Sequence, residues 1–201
     1  MIEEKNFQTY LSISRNKYAI YLIDKKNLKN LYQNEIYADN DFENYDNLIK
    51  FLDQNIFKIE KFIGKFVKNI FLIIENPQIL NVDIGVKKKD YNIEPNKNNL
   101  ENILTETKDL FKKSYQNQKI MHMVISNYLI NDKNTTLSYS SSNNSDLSVE
   151  VSFTSISSNF TNNLEKILKR YQININRYLC EVYIKNFFEG QEIEFSIMIY
   201  K

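Results

Sequence analysis

Residues 7–37, "FQTYLSISRNKYAIYLIDKKNLKNLYQNEIY", decide the fold of this chain. Tyr, Leu and Ile alternate with polar residues along most of this segment, which is the pattern of half-buried strands. Polar breaks near Ser14–Asn16 and Lys25–Asn27 leave room for short turns. The segment therefore predicts three antiparallel strands, at 7–13, 17–24 and 29–37.

An amphipathic helix is predicted directly after these strands. Its apolar residues recur at steps of three and four, which places them on one helix face: Leu48, Ile49, Leu52, Ile56, Ile59, Phe62, Ile63 and Phe66. The continuous apolar run "NIFLIIE" at 69–75 then predicts a buried central strand.

A second set of elements is predicted beyond Pro77, beginning with the strand "ILNVDIGVKKKDY" and a helix that Asn96 would cap. The helix stripe consists of Leu100, Ile103, Leu104, Thr107, Leu110 and Phe111. Further along the chain the pattern predicts a strand at 119–131, a polar loop at 138–146, a strand at 147–156, a helix at 159–171, and strands at 173–184 and 192–200. This order is typical of an α/β (α+β) fold with one subdomain inserted into another.

Composition excludes several classes of function. The chain has 201 residues and a formal charge of +1, so no clustered basic excess points to nucleic acid. Only three glycines are present, which counts against a phosphate-cradling loop. The single Cys180 forms no intrachain disulfide, and no signal peptide or apolar run of about 18 residues is visible. We expect a cytoplasmic protein without an intrinsic membrane anchor.

The residues that could carry chemistry favour a non-catalytic protein. His122, the only histidine, lies on a predicted strand, and we expect it to be a packed or half-exposed strand residue. Met121 and Met123, which flank it, would share one strand face, and this indicates core packing. A nucleophilic Cys180–His122 pair is conceivable, but a buried thiol is the simpler interpretation. One His and one Cys are too few for a zinc site without carboxylates. The carboxylates Asp24, Asp53, Glu101, Glu106 and Asp109 are expected to be solvated, and the lysines at 87–89 to be a hairpin tip. We predict no catalytic residue, no metal site and no small-molecule substrate.

Five pieces of sequence, taken in order, carry a family resemblance. They are "NIFLIIENPQILNVDI" (69–84), "NNLENILTETKDL" (98–110), "KIMHMVISNYLIND" (119–132), "DLSVEVSFTSI" (146–156) and "NNLEKILKRYQININ" (162–176). Their order, with His122 and Tyr128 at the expected spacing, resembles the N-terminal half of the bacterial actin-like cell-division protein FtsA. The resemblance implies half of an actin-like (ribonuclease H-like) fold. Residues 1–77 and 176–201 would form subdomain 1A, and residues 78–175 an inserted SHS2 (1C) subdomain of strand, helix, strand and strand.

The residues found where the family has its first phosphate loop differ from the family pattern. Ser12 stands where the resemblance implies an Asp that handles magnesium, and Ser14 replaces a Gly, while Lys17 is kept. A serine hydroxyl replaces a carboxylate poorly at a hard Mg²⁺ ion. The chain also ends at residue 201, where the family would continue into a second lobe. We therefore expect no cofactor, and ATP binding is doubtful.

The resemblance implies a scaffold that works by protein–protein contacts. In the family the inserted subdomain binds other division proteins or further copies of itself. This predicts a non-enzymatic cell-division protein, cytoplasmic and recruited to the division site at the inner membrane. Two alternatives stay open: an ATP-binding ATPase or phosphotransferase of the same superfold, and a pilus-assembly scaffold of the PilM type.

Overall fold

The structure, a computed structural model, describes residues 7–26, 29–37, 45–93, 97–131, 133–134 and 142–187. The chain divides into two compact units. The outer unit comprises Met1–Pro77 and Phe160–Lys201, and the inserted unit comprises Gln78–Asn159. The predicted N-cap Asn96 and the predicted strand at 192–200 lie outside the described residues.

The outer unit is built on the three predicted strands, which have the predicted bounds. They are β1 (Phe7–Ile13), β2 (Lys17–Asp24) and β3 (Lys29–Tyr37), and each pairs antiparallel with the next. The central strand β2 is buried along almost its whole length. Burial on both faces explains why its sequence is apolar at nearly every position.

Helix α1 (Asp46–Ile63) packs one face into the core of the outer unit and ends at Gly64. Gly64 has φ +69° and donates its N–H to the Glu60 carbonyl at 2.8 Å, which is a left-handed C-cap. The predicted stripe is correct for Leu48, Leu52, Ile56 and Ile59, which are buried. It is wrong for Phe62 and Phe66, which are exposed: Phe62 lies in the last turn of the helix, and Phe66 lies beyond its end at Ile63.

Two parallel strands complete the sheet of the outer unit. Strand β4 (Asn69–Ile74) pairs with β1, and β9 (Asn174–Cys180) pairs with β4. The strand order is β3-β2-β1-β4-β9. An antiparallel meander followed by two parallel strands is the topology of the expected half of an actin-like (ribonuclease H-like) fold, so this prediction is confirmed.

The inserted unit is a four-stranded antiparallel sheet with one helix. Its elements are β5 (Leu80–Ile93), α2 (Lys97–Ser114), β6 (Gln118–Ile130), β7 (Lys133–Asn134) and β8 (Ser142–Ser157). The sheet order is β5-β8-β6-β7. Strand, helix, strand and strand follow one another as the SHS2 prediction requires. The predicted polar loop is wrong at residues 142–146, where β8 has already begun and pairs with β5.

The core of the inserted unit lies between α2 and one face of this sheet. Ile103 and Phe111 of α2 pack against the inward-facing residues of β8, which are Leu147, Val149, Val151 and Phe153. The rings of Phe111 and Phe153 stack with 4.8 Å between their centroids. The alternation of β8 in the sequence therefore predicted the buried face correctly.

Helix α3 (Ser158–Lys169) leads the chain back to the outer unit, earlier than the predicted boundary at residue 175. The Tyr178 hydroxyl on β9 donates to Glu165 Oε1 on α3 at 2.6 Å, and the Tyr171 hydroxyl donates to Asp53 Oδ1 on α1 at 2.6 Å. These bonds attach α3 and the following turn to the elements of the outer unit.

A short helix replaces part of the strand predicted at 173–184. Strand β9 ends at Cys180, and residues Glu181–Phe187 form α4. Ile184 of α4 packs on the sheet face that carries Tyr10, Tyr21 and Ile73. A short apolar run fits a strand or a buried helix equally well, so periodicity alone did not separate the two.

Candidate functional site

The position of the predicted phosphate loop is a three-residue hairpin between β1 and β2. Ser12 and Ser14 are both buried. Ser14 donates its backbone N–H to the Lys17 carbonyl at 2.9 Å, and its hydroxyl donates to the same carbonyl at 3.1 Å. None of residues 14–16 has a positive φ. The hairpin is therefore closed by its own hydrogen bonds and uses no glycine.

Lys17 is engaged on the surface of the sheet of the outer unit. Its Nζ lies 2.9 Å from Glu35 Oε2 on β3 and 5.7 Å from the centroid of the Tyr37 ring. The hydrogen bond to Glu35 raises the pKa of Lys17. The ammonium group thus has two partners, both on the neighbouring strand β3, at the place where the resemblance implies a phosphate.

The other residues considered from sequence are dispersed. His122 is half-buried on β6 of the inserted unit, whereas Cys180 is buried at the end of β9 in the outer unit. Met121 is buried, but Met123 is 36% exposed, although its partner on β8 is the buried Phe153. The shared core face expected for the two methionines is therefore wrong for Met123.

The carboxylates considered from sequence have local partners. Asp24 accepts a hydrogen bond from the Lys26 N–H at 2.9 Å, Asp53 accepts one from Tyr171, and Glu106 pairs with Lys88 at 2.6 Å. Glu101 and Asp109 are exposed on α2. Within the described ranges, no three His, Cys, Asp or Glu side chains converge as metal ligands would.

The sheet of the inserted unit has a second face, opposite α2, that carries polar residues. We call it the open face and define it by Asn81, Asp83, Gly85 and Lys87 on β5 and Ser148, Glu150, Ser152 and Thr154 on β8. The β5 residues are exposed and the β8 residues are half-buried or exposed. Ser152 donates to Asp83 Oδ1 at 2.5 Å, and Thr154 donates to Asn81 Oδ1 at 3.0 Å. These bonds join two cross-strand pairs of side chains on the face.

A hollow lies on the open face at Gly85, which is directly opposite Glu150. The hollow has a volume of about 260 Å³, and Lys87, Asn127, Ser148 and Glu150 surround it. A Cβ added to Gly85 would meet no atom within 4 Å. The sequence analysis missed this position, although an isolated glycine within a strand pattern is a known sign of a close approach to the backbone.

Comparisons with known proteins assign no family to the chain. No protein-family model and no curated protein matches the sequence. Among solved structures, a PilM–PilN type IV pilus biogenesis complex matches at 10% identity and a TM-score of 0.47, over 90% of this chain and 49% of that chain.

Two further solved structures show a similar likeness. The cytoplasmic domain of EpsL, an inner-membrane component of the type II secretion system of Vibrio cholerae, matches at 9% identity and a TM-score of 0.40, over 89% of this chain and 57% of that chain. A Bacteroides thetaiotaomicron protein of unknown function with an actin-like ATPase fold matches at 14% identity and a TM-score of 0.38, over 93% of this chain and 58% of that chain.

The chain spans between 49% and 58% of the length of these three structures. At such identities and TM-scores the likenesses assign no activity or partner. The topology of the outer sheet and the strand-helix-strand-strand order of the inserted unit define the class, an actin-like fold with an inserted subdomain. Across the described residues, no helix is both long and apolar enough to span a bilayer.

Proposed function

We propose that this chain is a non-catalytic scaffold that acts through protein–protein contacts on its inserted unit. The observation that carries the proposal is the open face: a polar sheet surface with two hydrogen-bonded cross-strand pairs of side chains and a hollow at Gly85. Polar side chains already held by hydrogen bonds lose little conformational freedom when a partner binds, so such a surface favours association.

The hydrogen bonds and the ion pair of the hairpin at residues 12–17 support a role without catalysis. Phosphoryl transfer depends on positioned cations and on backbone N–H groups that face the phosphates. Here the Lys17 ammonium contacts Glu35, and the Ser14 N–H is bonded to the Lys17 carbonyl. A nucleotide would have to break both interactions before it could use either group.

The finer proposal is an FtsA-like role in cell division. The partners would be other division proteins or a second copy of the chain, and the site of action would be the cytoplasmic side of the inner membrane at the division site. The sequence pieces that resemble FtsA support this role, since three of them, at 98–110, 119–132 and 146–156, fall on elements of the inserted unit. A pilus or secretion scaffold of the PilM type is the competing role.

A two-hybrid matrix tests the scaffold proposal and separates these roles. The chain would be paired with itself, with the division proteins, and with the pilus and secretion assembly proteins of its own cell. The interacting pair should be lost with Gly85→Tyr, whose ring would cover the hollow, and kept with Asn102→Tyr, a matched control on an exposed position of α2. Pairing only with pilus or secretion proteins would contradict the division role. No pairing at all, including with itself, would contradict the scaffold.

Calorimetry with ATP and magnesium tests the absence of catalysis. We expect no binding heat at micromolar ATP. Magnesium-dependent binding that Lys17→Met abolishes would overturn the non-catalytic proposal and favour an ATPase or phosphotransferase.

A further inference from the structure

The outer unit contains a pocket that has no part in the proposed function. We call it the α1 pocket; it lies between the C-terminal half of α1, the turn after α3, and the first residues of β4 and β9. Its volume is about 490 Å³, within the range of about 300–1,000 Å³ that is typical of ligand pockets. The hairpin at 14–16 follows the carboxyl end of β1, which is parallel to β4, so the pocket and the hairpin lie at opposite ends of the sheet.

Two phenylalanine rings form the exposed apolar part of the α1 pocket. The side chains of Phe57 and Phe66 line it and are 70% and 78% exposed. Phe62, 59% exposed, lies on the same helix between them in sequence. Single exposed apolar residues are ordinary, but two large rings, Phe57 and Phe66, at the mouth of one pocket are typical of an interaction surface; Phe62 does not line the pocket.

The wall of the α1 pocket is held rigidly by Tyr171. Its hydroxyl donates to Asp53 Oδ1 at 2.6 Å and lies 3.2 Å from the Ile49 carbonyl oxygen, both on α1. Burial, reinforced by the hydrogen bond to Asp53, raises the pKa of Tyr171, so the hydroxyl stays a donor. Glu60 Oε1 likewise accepts the Val67 N–H at 3.0 Å. Both carboxylates of the lining therefore already bind protein donors.

The cations of the α1 pocket are free to bind a ligand. Lys68 and Arg170 line the pocket and are exposed, and neither forms an ion pair with any residue in the described part of the chain. The α1 pocket therefore combines two apolar anchor positions, Phe57 and Phe66, with two cations, Lys68 and Arg170, that form no ion pair within the described residues.

We propose that the α1 pocket binds an acidic peptide segment of a partner protein, with an aromatic or large aliphatic side chain in the pocket and carboxylates facing Lys68 and Arg170. Lys68 and Arg170 are the cations of the lining and form no ion pair within the described residues, so they favour carboxylates on the segment, and the guanidinium of Arg170 can bind a carboxylate in a bidentate manner. The concave shape and the polar wall at Asp53 and Tyr171 favour a peptide over a membrane, which requires a continuous apolar face.

Selection from a displayed library of random peptides on the full chain tests this proposal. Enriched peptides should carry Asp or Glu on both sides of a Phe, Trp, Leu or Ile. Their affinity should fall about tenfold or more with Phe57→Ser and with Arg170→Glu, the loss that is typical of an interface anchor. Matched controls are Val182→Ser, which removes an exposed apolar side chain elsewhere, and Lys108→Glu, which reverses an exposed charge on α2.

The altered positions are exposed, so the variants should keep their fold, and a thermal melt checks this. Enrichment without acidic residues, or affinity unchanged in Phe57→Ser and Arg170→Glu, would overturn the proposal. Binding to vesicles of anionic phospholipid that Phe57→Ser abolishes, without any peptide enrichment, would overturn it in favour of a membrane surface. The scaffold role tested with Gly85→Tyr is independent of all these outcomes.

Discussion

At the scale of single residues, one buried amide joins the helix and the sheet of the outer unit. Asn55 is 0% exposed and donates to the Phe51 carbonyl at 2.6 Å. Its Oδ1 accepts from the Tyr32 hydroxyl at 2.6 Å and from the Asn34 side chain at 2.7 Å. Burial of an amide is tolerated here because its donor and its acceptor are both used.

Asn55→Ala should lower the free energy of unfolding by about 2–3 kcal/mol, because it leaves two donors on β3 without an acceptor and opens a cavity. Tyr32→Phe, which removes one of these hydrogen bonds, should cost about 1 kcal/mol. Urea titration of both single variants and of the double variant measures the interaction energy between Asn55 and Tyr32. A loss no greater for Asn55→Ala than for Tyr32→Phe would show that the amide does not join helix and sheet.

The buried tyrosines of the outer unit make its stability sensitive to alkali. Burial raises the pKa of Tyr18 to about 12, from an ordinary value of about 10 in the unfolded chain. The folded state therefore holds the phenol proton between these two values while the unfolded state releases it. The stabilisation is complete below about pH 10 and is lost as the pH rises from about 10 to about 12.

Denaturant titrations from pH 8 to 11.5 test this dependence. Wild type should lose stability above about pH 10, and Tyr18→Phe should lose about 2 kcal/mol less over the same range, since it removes one of the shifted groups. An equal alkaline loss in both proteins would contradict the assignment to Tyr18.

Some residue-scale features could be predicted from the sequence and others could not. Burial of Cys180 and of the apolar stripe of β8 follows from composition and alternation. The engagement of Lys17 by Glu35 depends on the register between β2 and β3, which local sequence does not determine. The α1 pocket depends on Arg170 and Tyr171, which are more than a hundred residues from Phe57 in the sequence.

At the scale of elements, two glycines show how the backbone sets the role of a residue. Gly64 and Gly85 each have room for a Cβ, with no atom within 4 Å. Gly64 has a positive φ at the end of α1, whereas Gly85 lies in the extended strand β5. The strain of a left-handed conformation should therefore affect a substitution at Gly64 alone.

Gly64→Ala should cost about 1–2 kcal/mol of stability, and Gly85→Ala should be neutral or slightly stabilising. Thermal and urea denaturation of the two variants make a matched comparison. Equal losses of stability at both positions would contradict the left-handed backbone conformation of Gly64.

The elements themselves could largely be predicted, because their apolar periodicities are long. The first three strands have the predicted bounds, and α1 and α2 lie where their stripes are. The element predictions are wrong in two places, where local polarity or periodicity does not correspond to the observed element. Residues 142–146 are polar yet belong to β8, which pairs with β5, and residues 182–184 are apolar yet form part of a helix on the sheet.

At the scale of the whole molecule, the chain is two units with separate cores. Phe111 is fully buried in the core of the inserted unit, where its ring stacks on Tyr115 and Phe153. The core of the outer unit is built from different elements, among them β1, β2 and β4. The sequence order of elements predicted the insertion, but the attachment of α3 to the outer unit rests on contacts distant in sequence.

Phe111→Ala should destabilise the inserted unit by about 3–5 kcal/mol, which is the usual cost of replacing a buried phenylalanine with alanine. Hydrogen exchange read by mass spectrometry should show faster exchange in β5, β6 and β8, with protection kept in β1, β2 and β4. Uniform loss of protection across both units would contradict the division into two cores.

Complementation of a strain depleted of this protein tests the central claim most directly, that the chain works as a scaffold through its inserted unit and not as an enzyme. Lys17→Met removes the one retained phosphate-loop residue at a cost of about 1 kcal/mol or less, as for a surface ion pair. We expect Lys17→Met and the control Asn102→Tyr to restore the wild-type phenotype and Gly85→Tyr to fail, with all three proteins folded. Failure of a folded Lys17→Met protein, or full function of Gly85→Tyr, would contradict the account.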